Sequence, residues 1–264
     1  MKNYRKPFRV RRKKHPLRFF KNQVFWFNIL IVLFLSGVFY VVVFYKNFQI
    51  KEIKVSGNEK VLTADILSIV NSEINKKIVF FNSKSIFLSK IGKIKEDLLE
   101  KFPQISEIDI KKNFPDILSL TIQERNSFGI WCVQQEEVCF NLDSNGIIFS
   151  ENTEQDQKLK IVNSYQENSQ KLGEKVINKE LLDSIKILNL KLKELKIPIL
   201  KFILENTERI NIKTNEGWFI YLNSQDDWVW QITRLSQILE KEIPLGERGN
   251  LEYIDLRFTK VYIK

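Results

Sequence analysis

From Val24 to Tyr45 the chain runs 22 residues with no charged side chain and no polar face. At about 1.5 Å per residue this is roughly 33 Å of helix, against about 30 Å of bilayer hydrocarbon. A helix can sit there because it satisfies its own backbone. The pattern therefore predicts a transmembrane helix within residues 22–45. A cleavable signal peptide has an apolar core of about 7–15 residues and then a small-residue cleavage site. The residues after Tyr45 read KNFQIKEI and offer no such site, so the segment reads as an uncleaved signal-anchor. Trp26 near one end, and Tyr40 and Tyr45 toward the other, suit an interfacial aromatic belt.

Beyond the rod the period changes. Phe48–Val55 alternates apolar and polar residues, as a half-buried strand does. Ser56-Gly57-Asn58 makes a turn. Thr63 is a candidate N-cap for a helix with a stripe of Ile66, Leu67, Ile69 and Val70. A second helical region is expected from Ser83 to Lys101, with a break near Gly92. It stops at Phe102-Pro103, because proline cannot continue the ladder. Alternating strands follow at 105–112 and 117–124, joined through Asn113-Phe114-Pro115-Asp116. The order β-α-α-β-β describes a small α+β domain with helices on one sheet face.

After Arg125 the pattern is β-rich. Strands at 128–133 and 138–142 flank Gln134-Gln135-Glu136-Glu137 as a hairpin with a longer loop. Asp143 to Gly146 is a second turn. Residues 151–175 are polar and weakly patterned, and predict a surface connection with one short strand at Leu159–Val162. Lys179–Lys196 has helical spacing through Leu181, Leu182, Ile185, Leu188, Leu192 and Leu195. Strands are expected at about 199–205, 208–213 and 217–222. A helix from about Asp226 to Glu242 presents Trp230, Leu235, Ile238 and Leu239. The last residues, 251–264, are one or two strands with a turn near Thr259-Lys260.

Charge then assigns direction. The chain has 42 Lys+Arg against 32 Asp+Glu. Ten of those basic residues lie within 1–21, and the first acid is Glu52, so residues 22–264 are formally neutral. A folded nucleic-acid surface needs its charge on a binding face. Here the charge is a tail beside an apolar rod, so nucleic acid is not the expected partner. Only Lys46, Lys51, Lys54 and Lys60 follow in the next fifteen residues. The positive-inside rule puts residues 1–21 in the cytoplasm and the bulk outside.

Enzymatic chemistry finds little support. The single histidine, His15, lies in the basic tail, which removes any histidine-based triad or zinc site from the exterior. No Gly-rich phosphate cradle occurs. Asp226-Asp227 and Glu136-Glu137 are carboxylate pairs, but adjacent acids are more often solvated surface, and Asp226-Asp227 suits a helix N-terminus. No cofactor, metal or small-molecule substrate is expected.

The only cysteines are Cys132 and Cys139. Topology places both outside, where disulfides persist. If Val133 and Val138 close the hairpin loop, 132 and 139 are the next facing pair, within disulfide reach. Such a closure is worth about 2–3 kcal/mol in the chain-entropy picture. Two unpaired thiols are the alternative.

Several of these residues resemble a family. Val55, Gly57 and Asn58 form a V-x-G-N turn. Phe102-Pro103 ends a helix, Phe114-Pro115 turns the chain, and Glu124-Arg125 closes the next strand. In this order, directly after a signal-anchor, they resemble the POTRA domain of the FtsQ/DivIB cell-division proteins. Asn141–Phe149, the Gln231–Leu239 helix and Tyr253–Phe258 followed by Val261-Tyr262 are similar to the β domain of that family. The resemblance implies a basic cytoplasmic tail (1–21), a transmembrane signal-anchor (22–45), a POTRA domain (46–125) and a β domain (126–264). It implies a non-enzymatic divisome scaffold at the septal cell membrane, assembling or regulating septal peptidoglycan synthesis. Its partners would be FtsB/DivIC-type and FtsL-type membrane proteins. The positions matching the family's partner edge are Arg257 and Phe258, with Val261, Tyr262 and Ile263 as the neighbouring strand. A purely structural role for all five is the competing reading. A POTRA-bearing export or assembly factor that captures extended polypeptide is the competing function, although that class usually carries POTRA domains in tandem before a β-barrel.

Overall fold

A computed structural model describes residues 23–75, 83–133, 138–153, 158–165, 170–243 and 245–264. The basic tail and the hairpin loop Gln134–Glu137 lie outside these residues. The protein is α+β, with one N-terminal apolar helix, a β-α-α-β-β domain and a β-rich region carrying two helices. Helix α1 (Gln23–Phe44) is long and apolar enough to cross a membrane. Next come β1 (Glu52–Ser56), α2 (Thr63–Ile74), α3 (Ile91–Lys101), β2 (Ile105–Asn113) and β3 (Ile117–Glu124). They form a three-stranded sheet in the order β1-β3-β2.

By its internal contacts the chain divides into two units: residues 1–54, 71–90 and 111–119, and residues 55–70, 91–110 and 120–264. Two expectations need correction. The first strand starts at Glu52 rather than Phe48, because Lys46–Phe48 is a 3-10 turn. The second helix starts at Ile91 rather than Ser83. Residues 83–90 have other hydrogen-bond partners, which is how serines compete with helix. Ser83 Oγ donates to the Val43 carbonyl (2.5 Å) and Ser85 Oγ to that of Val42 (2.6 Å). Gln49 Nε2 also donates to Val43 O (2.9 Å), and its Oε1 accepts from the Lys84 N–H (2.8 Å). Carbonyls that the end of α1 leaves unsatisfied thus acquire donors.

In the second unit the V-x-G-N turn and the closing Glu124-Arg125 pair work together. Gly57 has φ +83°, and a Cβ there would lie 2.2 Å from the Ile122 carbonyl oxygen, so only glycine fits. Asn58 Nδ2 donates to Val61 O (2.8 Å) and Thr63 Oγ1 (2.9 Å). The Glu124 carboxylate accepts the backbone N–H groups of Glu59, Lys60 and Val61 at 2.9–3.0 Å. Burial pushes the Glu124 carboxyl up, but the three N–H donors outweigh it and hold the carboxyl below its ordinary value. A lowered carboxyl contributes stability above its unfolded-state pKa and loses it as the pH falls through the folded value. Glu124→Gln should therefore lower the melting temperature at neutral pH. The gap from the unsubstituted protein should close on acidification through the carboxylate range, as read by thermal melts over a pH series.

The rest of this unit is a nine-stranded sheet. Its strands are β4 (Gly129–Val133), β5 (Val138–Leu142), β6 (Ile148–Glu151), β7 (Leu159–Asn163), β8 (Ile199–Leu204), β9 (Arg209–Thr214), β10 (Phe219–Asn223), β11 (Tyr253–Asp255) and β12 (Tyr262–Ile263). The order is β12-β11-β10-β9-β8-β7-β4-β5-β6. Helices α4 (Lys179–Glu194) and α5 (Trp228–Lys241) cover one face. Leu182, Ile185, Leu188 and Leu192 from α4, and Ile232, Leu235 and Leu239 from α5, share a core with Trp131, Phe202, Ile212, Ile220 and Ile254. Asn178 caps α4 and Asp227 caps α5. Trp230, expected among the packed residues of α5, is 45 % exposed, and Gln231 is buried instead. Its side chain bonds both the N–H and the C=O of Asn223. The weakly patterned segment holds β7, which is a central strand paired parallel to both β4 and β8.

Candidate functional site

The C-terminal edge starts from a register. Ile254 on β11 pairs with Ile263 and Asp255 with Tyr262, antiparallel. Lys264 and Tyr253 exchange N–H···O bonds at 3.1 Å in both directions. In such a ladder hydrogen-bonded pairs alternate with pairs whose N–H and C=O point away. Ile263 belongs to the second kind, so its backbone groups face outward from the sheet. β12 is the last strand in the order, and no described strand lies beyond it. An edge of this kind can accept another strand.

The five residues expected at this edge do not all behave alike. Phe258 (53 % exposed), Tyr262 (49 %) and Ile263 (41 %) present apolar surface. The Phe258 and Tyr262 rings meet edge-on at 6.0 Å between centroids. Val261 lies before β12 and packs against the main core. Arg257 binds the buried Asp255 carboxylate through Nε (2.9 Å) and Nη2 (2.6 Å). That hydrogen bond raises the pKa of the guanidinium although burial opposes it. Two of its five N–H donors are thus occupied within the chain. Arg257 also lies over the Phe258 ring at 5.3 Å and the Tyr221 ring at 5.5 Å.

Sequence reasoning missed the supports of this edge. Arg234 on α5 donates from Nη1 to Phe258 O (3.0 Å) and from Nη2 to Thr259 O (2.6 Å), while lying over Trp230 at 4.3 Å. It pins the loop between β11 and β12. Arg234→Ala should weaken partner binding several-fold with little change in melting temperature, whereas Arg234→Lys should recover little, because one ammonium cannot reproduce the fork. A binding titration beside a thermal melt checks this. On the face away from the helices, Phe219 stacks on Tyr221 (6.0 Å) and Tyr221 on Tyr253 (5.3 Å), with Lys213 over Phe219 and Arg209 over Tyr221. The alternation of Phe219, Tyr221 and Tyr253 with buried Ile220, Leu222 and Ile254 signals their shared face. Their adjacency depends on the parallel pairing of β10 with β11, and no local pattern carries that.

At the other end of the sheet Cys132 pairs with Cys139 and Val133 with Val138. A disulfide joins the two cysteines, with Cα atoms 4.1 Å apart. It lies on the helix-free face beside Ile130, Val162 and Ile203. Alkylation of denatured protein with and without reductant should differ by two thiols. Equal labelling would remove the bond.

Other chemistry is sparse. Among the described residues no group of three or more His, Cys, Asp or Glu is placed to hold a metal ion. A cleft of about 530 Å³ between α4 and α5 is lined mainly by apolar groups, Ile187, Leu188, Leu195, Val229 and Ile232 among them. Asp227 at its rim is committed to the N–H groups of Val229 (2.8 Å) and Trp230 (3.3 Å).

Residues 48–125 match the family described as POTRA domain, FtsQ-type. Residues 129–257 match that described as cell division protein FtsQ/DivIB, C-terminal. A comparison with curated proteins found no match. The two matched stretches lie in the family's order and follow an apolar helix suited to a membrane anchor, and the chain belongs to the FtsQ/DivIB family of cell-division proteins.

Proposed function

We propose that this protein is a single-pass scaffold of the cell-division machinery. Helix α1 spans the cell membrane with the basic tail in the cytoplasm and residues 46–264 outside, concentrated at the septum. Residues 46–125 act as the POTRA domain and 126–264 as the β domain. The edge at β12 holds a small coiled-coil membrane protein of the FtsB/DivIC type together with its FtsL-type companion. Through them it governs assembly of the septal peptidoglycan synthase, and it makes or breaks no bond itself. The observation that carries this reading is the terminal position of β12, where the Ile263 backbone groups face outward and the side chains of Phe258 and Tyr262 are exposed.

A photocrosslinker at each of positions 257–263, in membranes holding the protein and its neighbours, tests the proposal. Short coiled-coil membrane proteins should be captured from 258, 262 and 263. The same open edge favours a second reading, capture of extended polypeptides by strand addition. Adducts to many unrelated unfolded chains would support that reading and sink the scaffold.

A further inference from the structure

We infer that a ring cluster next to the end of α1, with Phe87 and Phe114 at its outer end, rests in the headgroup layer of the membrane that α1 crosses. This rests on the proposal that α1 is a membrane anchor. Tyr45 follows the last residue of α1, and its ring lies 5.7 Å from that of Phe48. Phe48 meets Phe87 at 5.1 Å, and Phe87 meets Phe114 at 5.1 Å. The cluster is thus continuous from the helix end outward. Yet Phe87 is 42 % exposed and Phe114 58 % exposed, although aromatic rings of this size normally find cover.

The backbone holds the cluster at that level. Ser83 and Ser85 bond the Val43 and Val42 carbonyls. Ile86 N–H bonds Phe48 O at 2.8 Å, and Ile50 N–H bonds Lys84 O at 3.0 Å. Phe87 therefore sits two residues beyond a direct contact with the last turn of α1, and cannot swing far from it. If α1 ends where the hydrocarbon ends, the next several ångströms are headgroup, since a bilayer of about 40–45 Å has only about 30 Å of hydrocarbon.

The chemistry around the rings fits that layer. Aromatic side chains concentrate there because one part of the ring meets acyl chain and another meets water. Lys46, next to Tyr45 in the chain, and Lys84, three residues before Phe87, are exposed, and Lys112 Nζ reaches Phe87 O at 3.3 Å. The acid nearest Phe114 in sequence, Asp116, is paired with Lys51 at 2.7 Å. Basic groups close to exposed rings complement the phosphate of anionic phospholipid headgroups. The occupant is therefore lipid. The consequence is orientation: residues 45–48, 83–90 and 111–116 are held against the bilayer.

The test places p-benzoylphenylalanine at Phe87 or Phe114 of the full-length protein in vesicles of phosphatidylethanolamine and phosphatidylglycerol. Phe34 within α1 serves as the anchor control, and Val229, exposed on α5, as the aqueous control. Expected is at least about fivefold more lipid adduct at 87 and 114 than at 229, as for a ring among headgroups rather than in bulk water. Adducts at 34 with only the level of 229 at 87 and 114 would overturn the inference and leave the anchor standing. No adduct at 34 would overturn the anchor itself. Protein adducts replacing lipid at 87 and 114 in native membranes would assign the rings to a protein partner and equally overturn it.

Discussion

Phe258→Glu is expected to abolish partner recruitment while the circular dichroism and melting temperature of the protein stay unchanged. Phe258 is half exposed, and substitutions at such positions usually change stability by less than about 0.5 kcal/mol. In a complex formed along β12 the ring would become an aromatic anchor beside Tyr262. Replacing such an anchor by a carboxylate removes buried apolar area and leaves a charge to desolvate. A loss of about 2 kcal/mol or more, typical of interface hot spots, weakens binding by at least about thirtyfold.

A backbone substitution separates strand addition from side-chain docking. Ile263→Pro removes an N–H that the register directs away from β11, so the ladder inside the protein keeps its bonds. Proline is tolerated on an edge strand when its nitrogen faces outward. An added strand would lose one bond and meet the ring, and binding should fall about tenfold or more, as losing a hydrogen bond at a desolvated site implies. Ile263→Val should be silent. Recruitment undiminished by both Phe258→Glu and Ile263→Pro would sink the edge assignment.

The largest expected stability effect lies at Asp143. Its carboxylate pairs with the Arg125 guanidinium, the two side chains being 5 % and 13 % exposed. Arg125 Nε donates to Pro103 O at 3.0 Å, and Asp143 Oδ1 accepts from Asn145 N (2.8 Å) and Ile147 N (2.9 Å). Asp143→Ala would strand a buried cation and undo the turn that carries β5 into β6. Breaking a buried pair on one side costs about 3–5 kcal/mol, which for a chain of this size lowers the melting temperature by roughly 6–20 °C. Adding Arg125→Met should return part of the loss, because the orphaned charge is then gone. Asp143→Asn, which keeps the turn and removes the charge, should fall between. Thermal melts of the detergent-solubilised protein, followed by fluorescence of buried Trp131 and Trp218, read all three. A melting temperature unmoved by Asp143→Ala would refute the role assigned to the pair.

Much of the Arg125–Asp143 arrangement was legible in advance as two separate signals, a strand ending in Glu124-Arg125 and a D-S-N-G turn. That the two meet was not. The same holds at the C-terminal edge. All five edge positions could be named from the family resemblance alone; in the structure Phe258, Tyr262 and Ile263 are exposed, whereas Val261 turns inward to the core and Arg257 is claimed by Asp255. Arg234 carried no signal at all, because its acceptors are the Phe258 and Thr259 carbonyls and any residue supplies a carbonyl.

The sequence by itself determined α1, the β-α-α-β-β order, the stripe of α4 and the facing of Cys132 with Cys139. Each is encoded within one turn, one strand or one hairpin, where periodicity and turn chemistry act between near neighbours. Only the tertiary structure decided that residues 83–90 cap α1 instead of continuing a helix, because the competing acceptors, the Val42 and Val43 carbonyls, lie some forty residues earlier. Only it placed β7 between β4 and β8, and β11 parallel beside β10. A period of two tells a strand which face is buried, but its ladder groups are the same on every residue. Which strand lies alongside, and so which edge stays open, follows from how all the buried faces are covered together.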